Sequence, residues 1–251
     1  MSRFAIASLL ALAASTMAIT YPPSAVTGTE GIIASSIFFP LPPTAVPATM
    51  EGVALADPPE YFTLVVINSH GDDITTSHAH AADSPTAVSG DVGPGTMTNG
   101  ATASVLYPTG WAGNVAINDA NYEITGDDSL IEASFVVEDD VAVVDVDISY
   151  VNGFSVAIVC WCTDTDVSLT GCNKNLYTLN TCPDPDGENA CINPLRASTT
   201  ATEATTFFEP CEGAAYTFPD DNAANSYGQC QSGSVTCCVG ADCPASSKQS
   251  S

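Results

Sequence analysis

All ten cysteines of this chain fall in its last two-fifths, between Cys160 and Cys243. No other feature constrains the fold as much. An even set of cysteines at irregular spacing reads as a disulfide framework when the chain enters an oxidising compartment. Its members are Cys160, Cys162, Cys172, Cys182, Cys191, Cys211, Cys230, Cys237, Cys238 and Cys243. Their connectivity does not follow from sequence. Cys237 and Cys238 are adjacent, and a bridge between them would distort the peptide that joins them, so two different partners are expected. A zinc cluster is the rival reading. It wants histidines or a C-x-x-C pair, yet the region has no histidine and Cys160-Trp161-Cys162 is its nearest approach.

The compartment is read from the N-terminus. Arg3 precedes an apolar stretch, Phe4 to Ala14, and small residues lead on to Ala18. This is the pattern of a secretory signal peptide over residues 1–18. The stretch is shorter than the about 20 apolar residues a membrane helix needs, and later apolar runs are broken by proline or charge. We therefore expect a secreted monomer, extracellular or in a cell wall, with no membrane partner.

Charge removes whole classes of function. Twenty-nine acidic residues face four basic ones, a net charge of −25. Such a surface repels phosphates, so nucleic-acid binding is excluded. A phosphate-binding glycine loop is absent from the sequence, and no cofactor is expected. Most of the acidity reads as a solvated surface suited to an acidic medium.

Residues 19–59 are rich in Pro, Ala, Ser and Thr and read as a linker or pro-segment, because repeated prolines remove ladder hydrogen bonds and break helices. Strand signals then follow at 62–67, 103–106, 111–117, 130–137, 144–151 and 154–159. Val144, Val146, Ile148 and Tyr150 alternate with Asp145, Asp147 and Ser149, the period of a half-buried strand. Asn152-Gly153 between two apolar runs predicts a hairpin that sets Val151 opposite Phe154 and Asp147 opposite Ile158. The fold class is all-β, a sandwich or flattened barrel. Residues 60–160 and 206–244 form its body, 161–205 a disulfide-rich loop lobe inserted in it, and 245–251 a polar tail. With no crosslink in the N-terminal strands, reduction is expected to loosen the cysteine-bearing part first.

Three stretches, taken together, are similar to one family. Tyr107–Asn118 (YPTGWAGNVAIN) resembles the Trp-containing strand of the thaumatin-like (osmotin-like) proteins. Asp147–Phe154 (DISYVNGF) resembles their Asp-bearing strand that enters a Gly-Phe hairpin. Phe207–Asp221 (FFEPCEGAAYTFPDD) resembles their Phe-Phe…Cys-Pro-Asp-Ala-Tyr segment. Order and spacing agree over residues 60–244, and the match is to the fungal secreted type. The resemblance implies a flattened β-sandwich with a late disulfide lobe and an acidic cleft between them. That cleft implies binding, and in some members hydrolysis, of β-1,3-glucan. Its glutamate falls on Glu132 and its first aspartate on Asp147. Asn152 stands at the second aspartate, Asn118 at the arginine, and Glu212 near the late aspartate. The cysteines of the family's N-terminal half are missing here.

Glycoside hydrolysis needs two carboxyl groups in different roles, and Glu132 and Asp147 are the candidate pair. Asn118, Asn152, Glu212 and Tyr150 are the candidate ligand contacts. Trp111, Trp161, Tyr107, Tyr122, Tyr216 and Tyr227 could also stack on sugar rings, though core packing is the ordinary use of such residues. His70, His78 and His80, the only histidines, lie in one polar segment (HGDDITTSHAH) that reads as a loop or edge. His78 and His80 would share a strand face and could hold copper or zinc, but a solvated segment is the plainer reading, so no metal is expected. Glucan binding is thus the leading expectation, a weak endo-β-1,3-glucanase the next, and a structural or antigenic wall protein without ligand the third.

Overall fold

A computed structural model of the chain describes residues 57–90, 95–138 and 141–250. The expected signal peptide lies outside the described residues, as does all but the end of the proline-rich segment. The described residues form thirteen strands: β1 (Tyr61–Asn68), β2 (Ile74–His80), β3 (Ser89–Gly90), β4 (Gly95–Met97), β5 (Thr102–Pro108), β6 (Trp111–Asp119), β7 (Ser129–Glu138), β8 (Val141–Ser149), β9 (Gly153–Phe154), β10 (Ile158–Cys162), β11 (Ser168–Cys172), β12 (Cys191–Ile192) and β13 (Ser234–Val239). The longer strands follow from side-chain alternation. In β1, Phe62, Leu64, Val66 and Asn68 point inward while their neighbours face out. In β8, Val144, Val146 and Ile148 are buried and Asp145 and Asp147 lie on the other face.

Two sheets form a disulfide-rich β-sandwich. One has six strands in the order β11-β10-β13-β1-β5-β3, and the other five in the order β4-β2-β6-β7-β8. A short β12-β9 pair sits apart from both. The first strand lies parallel to the last, with Thr63 opposite Ser234 and Asn68 opposite Val239. Side chains from both sheets share one core, with Phe62 and Leu64 from one and Ile131, Phe135 and Val146 from the other. Each such side chain contributes about 1.5–3 kcal/mol by leaving water. Tyr107 stacks on Trp111 with ring centroids 3.7 Å apart, so both aromatics serve the core.

The expected hairpin at Asn152-Gly153 does not form. Asp147 pairs with Glu132 on β7, not with Ile158. After Ser149 the chain leaves the five-stranded sheet. Gly153 and Phe154 pair with Ile192 and Cys191, and β10 then enters the six-stranded sheet. Tyr150 and Phe154 anchor this crossing, edge to face with centroids 5.0 Å apart. Two apolar runs joined by a turn suit facing sheets as well as neighbouring strands, and the glycine is used here for close approach. A Cβ on Gly153 would lie 2.6 Å from the Cys191 carbonyl oxygen.

All ten cysteines are bridged: Cys160–Cys237, Cys162–Cys230, Cys172–Cys211, Cys182–Cys191 and Cys238–Cys243. The adjacent Cys237 and Cys238 take different partners, as expected. The bridges also redraw the expected boundaries. β10 and β11 belong to the six-stranded sheet, so the loop-rich lobe begins after Cys172 and not at residue 161. It holds a single four-residue helix, Leu176–Leu179, and Cys182–Cys191 staples it. Residues 245–250 are not a free tail. The hydroxyls of Ser246 and Ser168 lie 3.1 Å apart, and the Lys174 ammonium donates to the Ser250 carbonyl at 2.7 Å.

Gly171 shows how tightly β11 is seated. Its φ is +102°, and a Cβ there would overlap the Ile158 carbonyl and sit 3.0 Å from Ile148 of the facing sheet. Gly171→Ala should therefore cost about 1–3 kcal/mol, read as a lowered thermal midpoint. The topology also revises the expected response to reduction. β13 lies between β10 and β1, so opening Cys160–Cys237 should weaken the whole sandwich by about 2–4 kcal/mol. Hydrogen exchange of a Cys160→Ala/Cys237→Ala variant should show β1 and β5 losing protection together with β10. Selective loss in β10 alone would contradict this.

Candidate functional site

The outer face of the five-stranded sheet carries the candidate site. Successive residues of a strand point to opposite faces, so the burial of Val115, Ile131 and Val146 turns Asn114, Glu132 and Asp147 outward. Register then sets these three in one row. Asn114 lies opposite Glu132, and Glu132 opposite Asp147. Directly opposed residues have Cβ atoms about 4.5–5.5 Å apart. Asp145, two residues back on β8, shares the face and lies opposite Ser134.

The row lies between two hollows. One, of about 440 Å³, is lined by Asn114, Glu132, Asp145 and Asp147, with Ala79 and His80 at its side. The other, of about 270 Å³, is lined by Glu132, Asp147, Ser149, Asn152, Tyr216 and Pro219. Glu132 and Asp147 belong to both, so the hollows form a continuous groove over the pair. Its far wall comes from the segment around Tyr216, which clips to the end of β8. The Tyr216 N–H donates to the Ile148 carbonyl, and the Tyr150 N–H to the Tyr216 carbonyl, both at 2.8 Å.

Three carboxyl groups in one groove cannot all ionise freely. Burial raises Asp147 most, and the neighbouring Asp145 and Glu132 charges add to it, pushing it up to about 7. The N–H of Ser226 donates to its Oδ1 at 3.0 Å and opposes the shift. Asp145 is also raised by burial, while its hydrogen bond with Asp147 works the other way, so the two aspartates titrate as a pair. Glu132 is raised by crowding around its carboxyl and by Asp145, against a hydrogen bond from Ser149. Much of the Glu132 residue surface is open to solvent even so. A side chain rising from a groove floor combines both, and solvent on its open side moderates the shift.

The structure unites some candidates and separates others. Glu132, Asp147 and Asn152 meet in the groove. Tyr150 does not, because it is wholly buried; its hydroxyl donates to the Cys172 carbonyl and accepts the Ile158 N–H at 3.2 Å. Asn118 is equally buried. Its amide nitrogen donates to Asp128 Oδ1 and to the Glu188 carbonyl, both at 2.8 Å, tying the sheet to the lobe. Glu212 accepts the Ala204 N–H at 3.1 Å and braces lobe backbone. Asp145, Asn114 and Ser149 are groove residues not named as candidates, whereas Tyr216 is one of the aromatics expected to be able to stack. Asp145 was readable, since residues two apart on a strand share a face. Asn114 arrives through long-range pairing, which leaves no local signal.

The segment expected to be a loop or edge divides: residues 70–73 are loop, and from Ile74 it is strand β2, paired with β4 and β6. His78 points inward, its Nδ1 3.3 Å from the Tyr107 hydroxyl, and burial lowers its pKa. His70 Nε2 lies 3.5 Å from Asp119, and His80 is exposed beside the groove. The three histidines thus go to different places. Among the described residues, the one tight group of metal-type ligands is Cys162, Asp164 and Cys230, and both of its cysteines are spent in a disulfide. Of the aromatics, Tyr216 lines the groove, Tyr122 and Tyr227 are exposed, and Trp161 lies on the outer face of β10 between two inward cysteines.

No protein-family model matches the chain, and no curated protein matches it.

The groove carboxyls set a pH response. Asp147 binds its proton more tightly folded than unfolded, where an aspartate titrates near 3.9. Between about pH 4 and 7 the folded state therefore holds a proton that the unfolded state has lost, and stability falls as pH rises through that window. Asp147→Asn should flatten the fall and raise the thermal midpoint at pH 7 while leaving it unchanged near pH 3.5. Melting curves from pH 3.5 to 8 read this directly, and an unaltered slope in the variant would show that Asp147 is not the group responsible.

Proposed function

We propose that this chain is an exported, thaumatin-like protein that binds cell-wall polysaccharide, β-1,3-glucan, in the carboxylate groove. The observation that carries this reading is Glu132 opposite Asp147 on the floor of a groove walled by Tyr216. Sugar hydroxyls donate to carboxylates, the Asn114 and Asn152 amides can donate and accept, and an aromatic wall suits the C–H face of a pyranose ring. The groove holds Glu132 and Asp147, the two positions that the family resemblance gives to its acidic cleft, although Asn118 and Glu212 have gone to structural uses. Export fits five disulfides, which persist in oxidising compartments. Among the described residues no helix is long and apolar enough to cross a membrane.

A second reading is endo-β-1,3-glucanase action by the same pair. It is favoured by the raised Asp147, which keeps a proton in mild acid as a general acid must. Opposed strand positions also suit the close spacing of a retaining pair, about 5–5.5 Å between carboxyls, better than the wider inverting one.

Retention on immobilised laminarin tests the binding. The wild type should be retained, and Glu132→Gln and Asp147→Asn should each weaken retention at least tenfold. Wild-type protein in the flow-through would remove glucan as the ligand and leave the wall-structural reading. Release of reducing sugar that fades above pH 7 and vanishes in both variants would make the protein an enzyme.

A further inference from the structure

A second cavity, of about 420 Å³, is built from other residues. None of its lining residues lines the groove. The sandwich contributes His70, Asp72 and Asp119, and the lobe contributes Asn175, Tyr177 and Asn189. Its size falls within the range of small-molecule sites, about 300–1,000 Å³.

The lining selects a ligand class. Neither lysine nor arginine lines the cavity, and two carboxylates do, so an anion is repelled. Asp119 is not a lone charge awaiting a cation. Its Oδ2 faces His70 Nε2 at 3.5 Å and its Oδ1 accepts the Asn121 N–H at 2.8 Å, while Asp72 is solvent-exposed. What remains is a mixture of donors and acceptors around a small apolar patch of Val156, Ala157 and Ala241. That mixture matches a ring with hydroxyls on its edge and C–H groups on its face.

The lobe wall is held in shape. The Tyr177 hydroxyl lies 3.0 Å from the Phe154 carbonyl and 2.7 Å from that of Asn189. Asn189 has a φ of +63°, and its amide donates to Asn118 Oδ1 at 2.9 Å. Asn118, lost to the groove, thus supports this second wall.

We propose that this cavity is a second saccharide site, taking a neutral sugar of one or two rings independently of the groove. With both sites occupied, one molecule could hold two glucan segments and gain avidity without any new contact.

Calorimetric titration of the full chain with laminaribiose tests the proposal. A Glu132→Gln/Asp147→Asn protein should keep one binding event. Adding Ala241→Trp, which puts a bulky ring on an exposed lining residue, or His70→Ala should weaken that remaining event at least tenfold. The reverse protein, Ala241→Trp alone, should keep only the event that the groove substitutions remove. Absence of residual binding in the groove variant overturns the proposal, as does residual binding that neither cavity substitution changes. Should the groove substitutions leave binding at its wild-type level while Ala241→Trp lowers it, the groove reading fails and the cavity stands.

Discussion

The parallel pairing of β1 with β13 is the contact on which the rest of the sandwich depends. It puts β13 at the centre of the six-stranded sheet, with β10 on its other side. Parallel neighbours cannot be joined by a tight turn and need a long connection. Here that connection contains the other sheet and the whole lobe. Closing so long a loop carries an entropic penalty that the local hydrogen bonds alone do not offset. Cys160 and Cys237, directly opposite each other in β10 and β13, remove part of that penalty by joining the strands covalently. Three of the five bridges have a cysteine in β10 or β13, where the topology most needs help, and Cys182–Cys191 staples the loop-rich lobe.

The groove follows from that arrangement. Because β10 is held by β13, the chain must leave β8 after Ser149 and cross between sheets. The crossing frees the outer edge of β8, and the segment around Tyr216 fills it. One wall of the groove is thus an edge covering, and its floor is the adjacent sheet face. Three carboxyls on that floor destabilise one another when ionised, and Asp147 answers by keeping a proton. The acidity that elsewhere keeps the surface solvated becomes, in this one row, a set of groups with separated titration behaviour.

Much of this was legible in the sequence, but unevenly. Val144, Val146 and Ile148 announced β8 because alternation is a local property. Cys237 and Cys238 announced separate partners because a bridge between neighbours strains the peptide that joins them. β2 escaped because Thr75, Thr76 and Ser77 look like loop residues; its place in the sheet comes from pairing with β6 and β4. Asn152-Gly153 misled for a related reason, since a turn says that the chain bends and not which sheet it enters next. Glu132 and Asp147 were found through resemblance, but that they face each other depends on register, a pairing of distant segments. Asn118 and Tyr150 were taken for ligand contacts and are buried. Residue type could not separate a polar group facing solvent from one knitting the sheet to the lobe.

The order of strands also bears on how the protein is made. Thr63 and its partner Ser234 are about 170 residues apart in the chain. At a synthesis rate of about 5–20 residues per second, β1 is finished roughly ten to thirty seconds before β13 exists. Through that interval one edge of β1, with its Leu64-Val65-Val66 run, has nothing to pair with. Until β13 arrives, that edge is open to pairing with another chain.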